Sequence, residues 1–82
     1  MQMTSIPQSL ALFFQEYRLS DLDPERAAAT IIERTLQFGN RAEIRWLFGR
    51  YSQARIAAWL RQNGLERLPE PHLTFWKLLL RV

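Results

Sequence analysis

The chain has no cysteine, one histidine and three glycines, and each shortage closes off a class of chemistry. Without cysteine there is no disulfide, no thiolate metal ligand and no thiol nucleophile, and the redox compartment is left unconstrained. The lone His72 does not supply the several converging His, Cys or carboxylate ligands of a metal site. A hydrolase arrangement would need a hydroxyl nucleophile and an orienting acid beside His72. Thr74 and Glu70 are near it in sequence, but a helix start accounts for both. Gly39, Gly49 and Gly64 stand singly, so no glycine-rich loop is present to cradle phosphate. These gaps point to a protein that is not an enzyme and carries no cofactor, no metal and no small-molecule substrate. No uninterrupted apolar run approaches the roughly 20 residues of a membrane span. Met1–Thr4 also lack the charged and apolar regions of a secretory signal. The expectation is a soluble, cytoplasmic protein with no membrane association.

What the chain does have is apolar bulk. Of its 82 residues 48% are hydrophobic, with three Trp, five Phe and two Tyr, which argues for a folded domain and against disorder. One domain spanning 1–82 fits this length, near the lower end of what a single core stabilises. Charge is unevenly spread. Residues 1–40 carry three Arg against five Asp or Glu, whereas residues 41–82 carry eight Lys or Arg against three Glu. The second half is therefore at +5 and suited to an anionic partner.

Helical periodicity organises most of the sequence. Residues 1–9, with Thr4, Ser5, Pro7 and Ser9, read as a flexible arm. Leu10, Phe13, Phe14 and Tyr17 then fall at i, i+3, i+4 and i+7, one face of a short helix. Leu19–Asp23 reads as a turn. Asp23 followed by Pro24 is a helix start, and Ala28, Ile31, Ile32, Thr35 and Phe38 form the face of a helix over 24–38. Gly39 is expected to stop it in the left-handed region. Asn40 with Glu43 three positions on has the form of a capping box. It opens a helix with the stripe Ile44, Leu47, Phe48 and Tyr51, while Trp46 lies about 160° from Ile44 and faces another helix or water. Ser52 caps a further helix with the stripe Ile56, Trp59 and Leu60, expected to end at Gly64. A Leu65–Pro71 loop and a terminal helix follow. Nothing alternates at period two, so the expected fold is all-α: a compact bundle of four to five short helices with an αα-hairpin, helix-turn-helix-like, in the middle.

The terminal helix carries the strongest functional signal. Seven of the ten residues from Leu73 to Val82 are apolar, and Thr74, Lys77 and Arg81 form one narrow polar stripe. Such a helix is either the centre of the core or part of a face that a partner covers. Phe75, Trp76 and Leu79, with Trp46, are the residues expected to supply apolar protein contact. Arg41, Arg45, Arg50 and Arg55 form a basic set around the hairpin, suited to an anion, to nucleic acid or to charge steering. A helix-turn-helix DNA-binding protein, one that represses its own operon for example, is the alternative, with Ser52, Gln53 and Arg55 opening its recognition helix. A plain αα-hairpin explains the same pattern and is the favoured reading. A homodimer whose terminal helices cover each other is a third.

Several stretches also carry a family resemblance: Ile31-Ile-Glu-Arg-Thr-Leu-Gln-Phe-Gly39, Ile44-Arg-Trp-Leu-Phe-Gly-Arg-Tyr51, Ile56 and Leu73-Thr-Phe-Trp-Lys-Leu-Leu-Leu80, with the early Leu12-Phe-Phe and Leu22-Asp-Pro-Glu. The chain resembles a family of small bacterial and archaeal proteins with no established catalytic residues. Where that family tends to have Tyr-Gly after its Trp-Leu helix, this chain has Tyr51-Ser52, a capping residue in place of a flexible one. Such proteins often look like the small partner encoded beside a nucleotidyltransferase-type toxin. The resemblance thus implies an antitoxin-like role in a two-gene toxin–antitoxin module, with the toxin as protein partner.

Overall fold

The computed structural model describes residues 6–18 and 21–82. A 3-10 helix, Gln8–Phe14, is followed by four α-helices: α1 (Ala28–Phe38), α2 (Arg41–Arg50), α3 (Gln53–Arg67) and α4 (His72–Leu80). No strand occurs among the described residues, and the protein is an all-α bundle. Its radius of gyration is 12.2 Å, close to the about 12 Å expected of a folded domain this long.

The centre is α1, not the terminal helix. It packs against α2, α3, α4 and the 3-10 helix. It buries Ala28, Ile31, Ile32, Thr35 and Leu36, a stripe at i, i+3, i+4, i+7 and i+8. Leu36 takes the buried place that the periodicity assigned to Phe38. Phe38, a further half-turn on, is exposed on one side and stacks on Phe13 with ring centroids 5.3 Å apart. The helix also begins later than expected. Asp23 accepts a hydrogen bond from the Glu25 N–H, as a start residue should, but 24–27 form turns before regular geometry sets in at Ala28.

The 3-10 helix replaces the short α-helix read from Leu10 to Tyr17, and it is held by Arg34 of α1. The Arg34 guanidinium donates to the Phe13 carbonyl and to the Glu16 carboxylate, and lies over the rings of Phe14 and Tyr17. This anchoring also revises the arm. Residues 1–5 lie outside the described ones, but Ile6 is buried in the core, and Gln8 and Ser9 open the 3-10 helix. Of the Leu19–Asp23 turn, Leu19 and Ser20 lie outside the described residues.

Helix starts follow the sequence closely. Asn40 Oδ1 accepts from the Glu43 N–H and the Glu43 carboxylate accepts from the Asn40 N–H, both at 2.8 Å, which completes the capping box. Ser52 Oγ accepts from the Arg55 N–H at 3.0 Å. Glu70, not Pro71, caps α4 by accepting from both the N–H and the hydroxyl of Thr74.

Glycine acts differently from the expectation. Gly39 has φ −69° and ψ 147°, an extended conformation open to any residue. A Cβ there would lie 2.6 Å from the Thr35 carbonyl oxygen, so close approach explains the residue. Gly64 does not end α3, which continues to Arg67 and shortens the following loop. A Cβ at Gly64 would lie 2.9 Å from Cδ1 of both Leu60 and Leu73, so its bareness lets α4 settle onto α3. That packing offsets the about 1 kcal/mol that glycine costs inside a helix.

Candidate functional site

Helix α4 answers the question its composition poses, because it is buried on one side only. Leu73, Trp76 and Leu80 at i, i+3 and i+7 enter the core. Thr74, Lys77 and Arg81 are exposed, as the polar stripe requires. Three large apolar side chains are left outside: Phe75 is 55% exposed, Leu78 75% and Leu79 57%. Scattered single apolar side chains on a surface are ordinary, but three on adjacent positions of one helix form a ridge.

Trp76, expected as a contact residue, is core. It is 6% exposed, stacks on Phe48 at 6.0 Å, and its Nε1–H donates to the Leu36 carbonyl at 3.0 Å. The bond has a clear origin. The last carbonyls of a helix have no donor within it. The Asn40 N–H, next in line for the Leu36 carbonyl, is turned to the Glu43 carboxylate instead. Trp76 fills the vacancy and ties α4 to the end of α1.

Beside the ridge runs an open groove of about 370 Å³ lined by Ile44, Phe48, Gln53, Trp76, Leu79 and Leu80. On its far flank a second depression of about 270 Å³ is lined by Leu60, Arg61, Leu65, Leu73, Lys77 and Val82. The first groove unites the α2 stripe with α4, which sequence spacing does not reveal. Ile44 and Phe48 had read as core positions, yet both are only half-buried because the short α4 does not cover them. Leu78, part of the apolar run, and Leu65, read as loop, are exposed residues of this region that the spacing did not single out.

Trp46 does not line this groove. It is half-buried, edge-on to the Tyr51 ring at 6.3 Å, and its Nε1–H is buried without a partner. It packs against the core cluster with part of its surface left open, away from the groove.

The four arginines divide into two pairs. Arg50 and Arg55 bind the Glu25 carboxylate at 3.0 and 3.1 Å, and both guanidiniums lie 5.1 Å from the centroid of Tyr51. Tyr51 is buried between them and donates its hydroxyl to the Pro24 carbonyl at 2.8 Å. Hydrogen bonds from Arg55, then Arg50, hold the Glu25 carboxyl below its ordinary range, and burial raises the Tyr51 phenol above its own. This cluster clamps the α2–α3 junction to the start of α1. Arg41 and Arg45 are exposed, and neither makes an ion pair among the described residues. They follow the same side of α2 as Ile44 and Phe48, at i, i+3, i+4 and i+7 from Arg41.

Helices α2 and α3 are joined through Tyr51 and Ser52, both extended, and each packs on α1. Ser52, Gln53 and Arg55 are exposed at the start of α3, but Arg55 is already committed to Glu25. Among the described residues no three His, Cys, Asp or Glu side chains are grouped to hold a metal ion, and no helix is long and apolar enough to cross a membrane.

Residues 10–60 match a family of unknown function (DUF6922), and the chain belongs to that family. No curated protein and no solved structure matches it.

Proposed function

We propose that this member of the DUF6922 family works as a non-enzymatic protein-binding module, and that the outer face of α4 is its contact surface. The exposure of Phe75, Leu78 and Leu79 beside an apolar groove carries this reading. The helix that carries these side chains is already formed, so binding has no backbone of α4 to order, and the groove offers a partner's side chain a seat. The sequence resemblance supplies the setting: an antitoxin-like component of a two-gene module, with a nucleotidyltransferase-fold toxin as partner. Exposed Arg41 and Arg45 would speed encounter with an acidic surface on that partner.

The helix-turn-helix DNA-binding reading has less support. Arg50 and Arg55, which flank the junction, spend their charge on Glu25 rather than on phosphates.

The test is co-expression with the protein encoded by the adjacent gene, followed by affinity capture. Leu79→Asp is expected to abolish capture while leaving the far-ultraviolet circular dichroism unchanged, since the side chain stands mostly in water. Capture unaffected by Leu79→Asp and by Phe75→Asp would refute α4 as the contact face.

A further inference from the structure

We propose that the groove between α2 and α4 receives an acidic amphipathic helix of a partner protein, and this rests on the reading of α4 as a binding face. The floor is apolar: Ile44, Phe48, Trp76, Leu79 and Leu80 line it, with Gln53 the one polar member. The α2 side is edged by Arg41 and Arg45, exposed and without ion pairs among the described residues. Across the ridge, the second depression adds Arg61 and Lys77. No Asp or Glu lines either hollow. Glu70, the acid nearest α4 in sequence, turns its carboxylate to Thr74. The charged side chains at the two hollows are thus of one sign, while Glu70 keeps its negative charge at the start of α4.

That charge selects the occupant. A second copy of this chain, joined by a two-fold contact, would set the same patch against itself, so that the Arg41, Arg45, Arg61 and Lys77 set of one copy would face the same positive set of the other. Like charges across an interface are costly, whereas carboxylates facing them gain attraction and a faster encounter. The shape suits a helix. The nine residues of α4 span about 13 Å, enough to seat two to three turns of a partner. Apolar anchors at i, i+3, i+4 and i+7 would enter the groove, with acidic residues flanking them toward the arginines.

The experiment uses the full chain and three synthetic peptides: a helical peptide with leucines at those four spacings and flanking glutamates, the same peptide with lysines for glutamates, and a scrambled acidic peptide of identical composition. Binding is read by peptide fluorescence anisotropy at low and high salt. The patterned acidic peptide is expected to bind best. Leu79→Ala should weaken it about tenfold, the effect of removing an interface anchor. Reversing both rim charges with Arg41→Glu and Arg45→Glu should switch the preference to the lysine peptide, with circular dichroism confirming that the variant is folded. Equal binding of the scrambled peptide, no switch on charge reversal, or no binding of the patterned acidic peptide would overturn the proposal, as would salt-insensitive dimerisation of the free chain through α4. If these fail while Leu79→Asp still abolishes capture of the co-encoded protein, the contact face stands and only the chosen occupant is wrong. If capture also survives, the reading beneath it falls too.

Discussion

Replacing Trp76 tests most directly whether α4 is a structural helix with one free face. The indole is 6% exposed, packs on Phe48 and Phe75, and donates to the Leu36 carbonyl forty residues earlier. Trp76→Ala removes the buried ring and leaves a cavity, for a cost of about 3–5 kcal/mol. A domain of 82 residues has a total stability of about 4–12 kcal/mol, so the alanine variant should be marginal or unfolded. Trp76→Phe keeps most of the packing but strands the Leu36 carbonyl, at about 1–3 kcal/mol. Phe75→Ala is the control: half of that side chain is already in water, and its loss should cost about 1 kcal/mol or less. Urea denaturation followed by circular dichroism measures all three, with midpoints falling in the order Phe75→Ala, Trp76→Phe, Trp76→Ala. If Trp76→Ala is no worse than Phe75→Ala, the indole does not anchor α4 and the division of that helix into core and contact faces is wrong.

Three further outcomes are expected. Asn40→Ala removes the side-chain half of the capping box, leaving the Glu43 N–H without its acceptor while the backbone N–H of residue 40 still reaches the Glu43 carboxylate, and should lower stability by about 1–2 kcal/mol in thermal denaturation; an unchanged midpoint would mean that the cap contributes nothing. Thr35 is fully buried and its hydroxyl has no partner, so Thr35→Val should stabilise the protein by about 1 kcal/mol, and a loss of stability in the same assay would show that the hydroxyl is satisfied. Stability should also fall at both ends of the pH scale. The Glu16, Glu25 and Glu70 carboxyls are held low by hydrogen bonds, chiefly from Arg34, Arg55 and Thr74 respectively, so what they contribute is present above the ordinary carboxylate range and lost as pH falls through their depressed folded values. Tyr51 is raised by burial, so its contribution is present below the ordinary tyrosine value and lost as pH rises through the raised one. Glu25→Gln should flatten part of the acid-side fall in melting temperature, and an identical profile would remove the Arg50–Glu25–Arg55 cluster from that account.

Local chemistry made the helices legible. Asn40 with Glu43, Ser52 and Asp23 each satisfies nearby N–H groups with its own side chain, a property of a few consecutive residues that no distant part of the fold needs to supply. The buried faces of α3 and, Phe38 apart, of α1 were readable for the same reason, since 3.6-residue periodicity is intrinsic to the helix. Glycine was less legible. Its lack of a side chain serves turns and close approaches alike, and Gly64 could be recognised as a packing residue only once Leu73 of α4 was known to lie over it. The arginines pose the same difficulty. Nothing in the order of residues distinguishes Arg50 and Arg55 from Arg41 and Arg45, until the chain turn at Pro24 brings Glu25 to the first pair and leaves the second in water.

By itself, then, the sequence determined an all-α chain with four capped or punctuated helical segments, a basic second half and a terminal helix with more apolar surface than one neighbour covers. Those properties arise from near neighbours in the chain and from composition. Tertiary structure decided which apolar residues were covered. It placed α1 rather than α4 at the centre, drew Trp76 inward onto the Leu36 carbonyl, packed Trp46 against Tyr51 and left Phe75, Leu78 and Leu79 outside. The physical reason is geometric: hydrophobicity makes every one of these side chains favour burial, but a short helix packs one side against its neighbours, and only the arrangement of the other helices fixes which side that is.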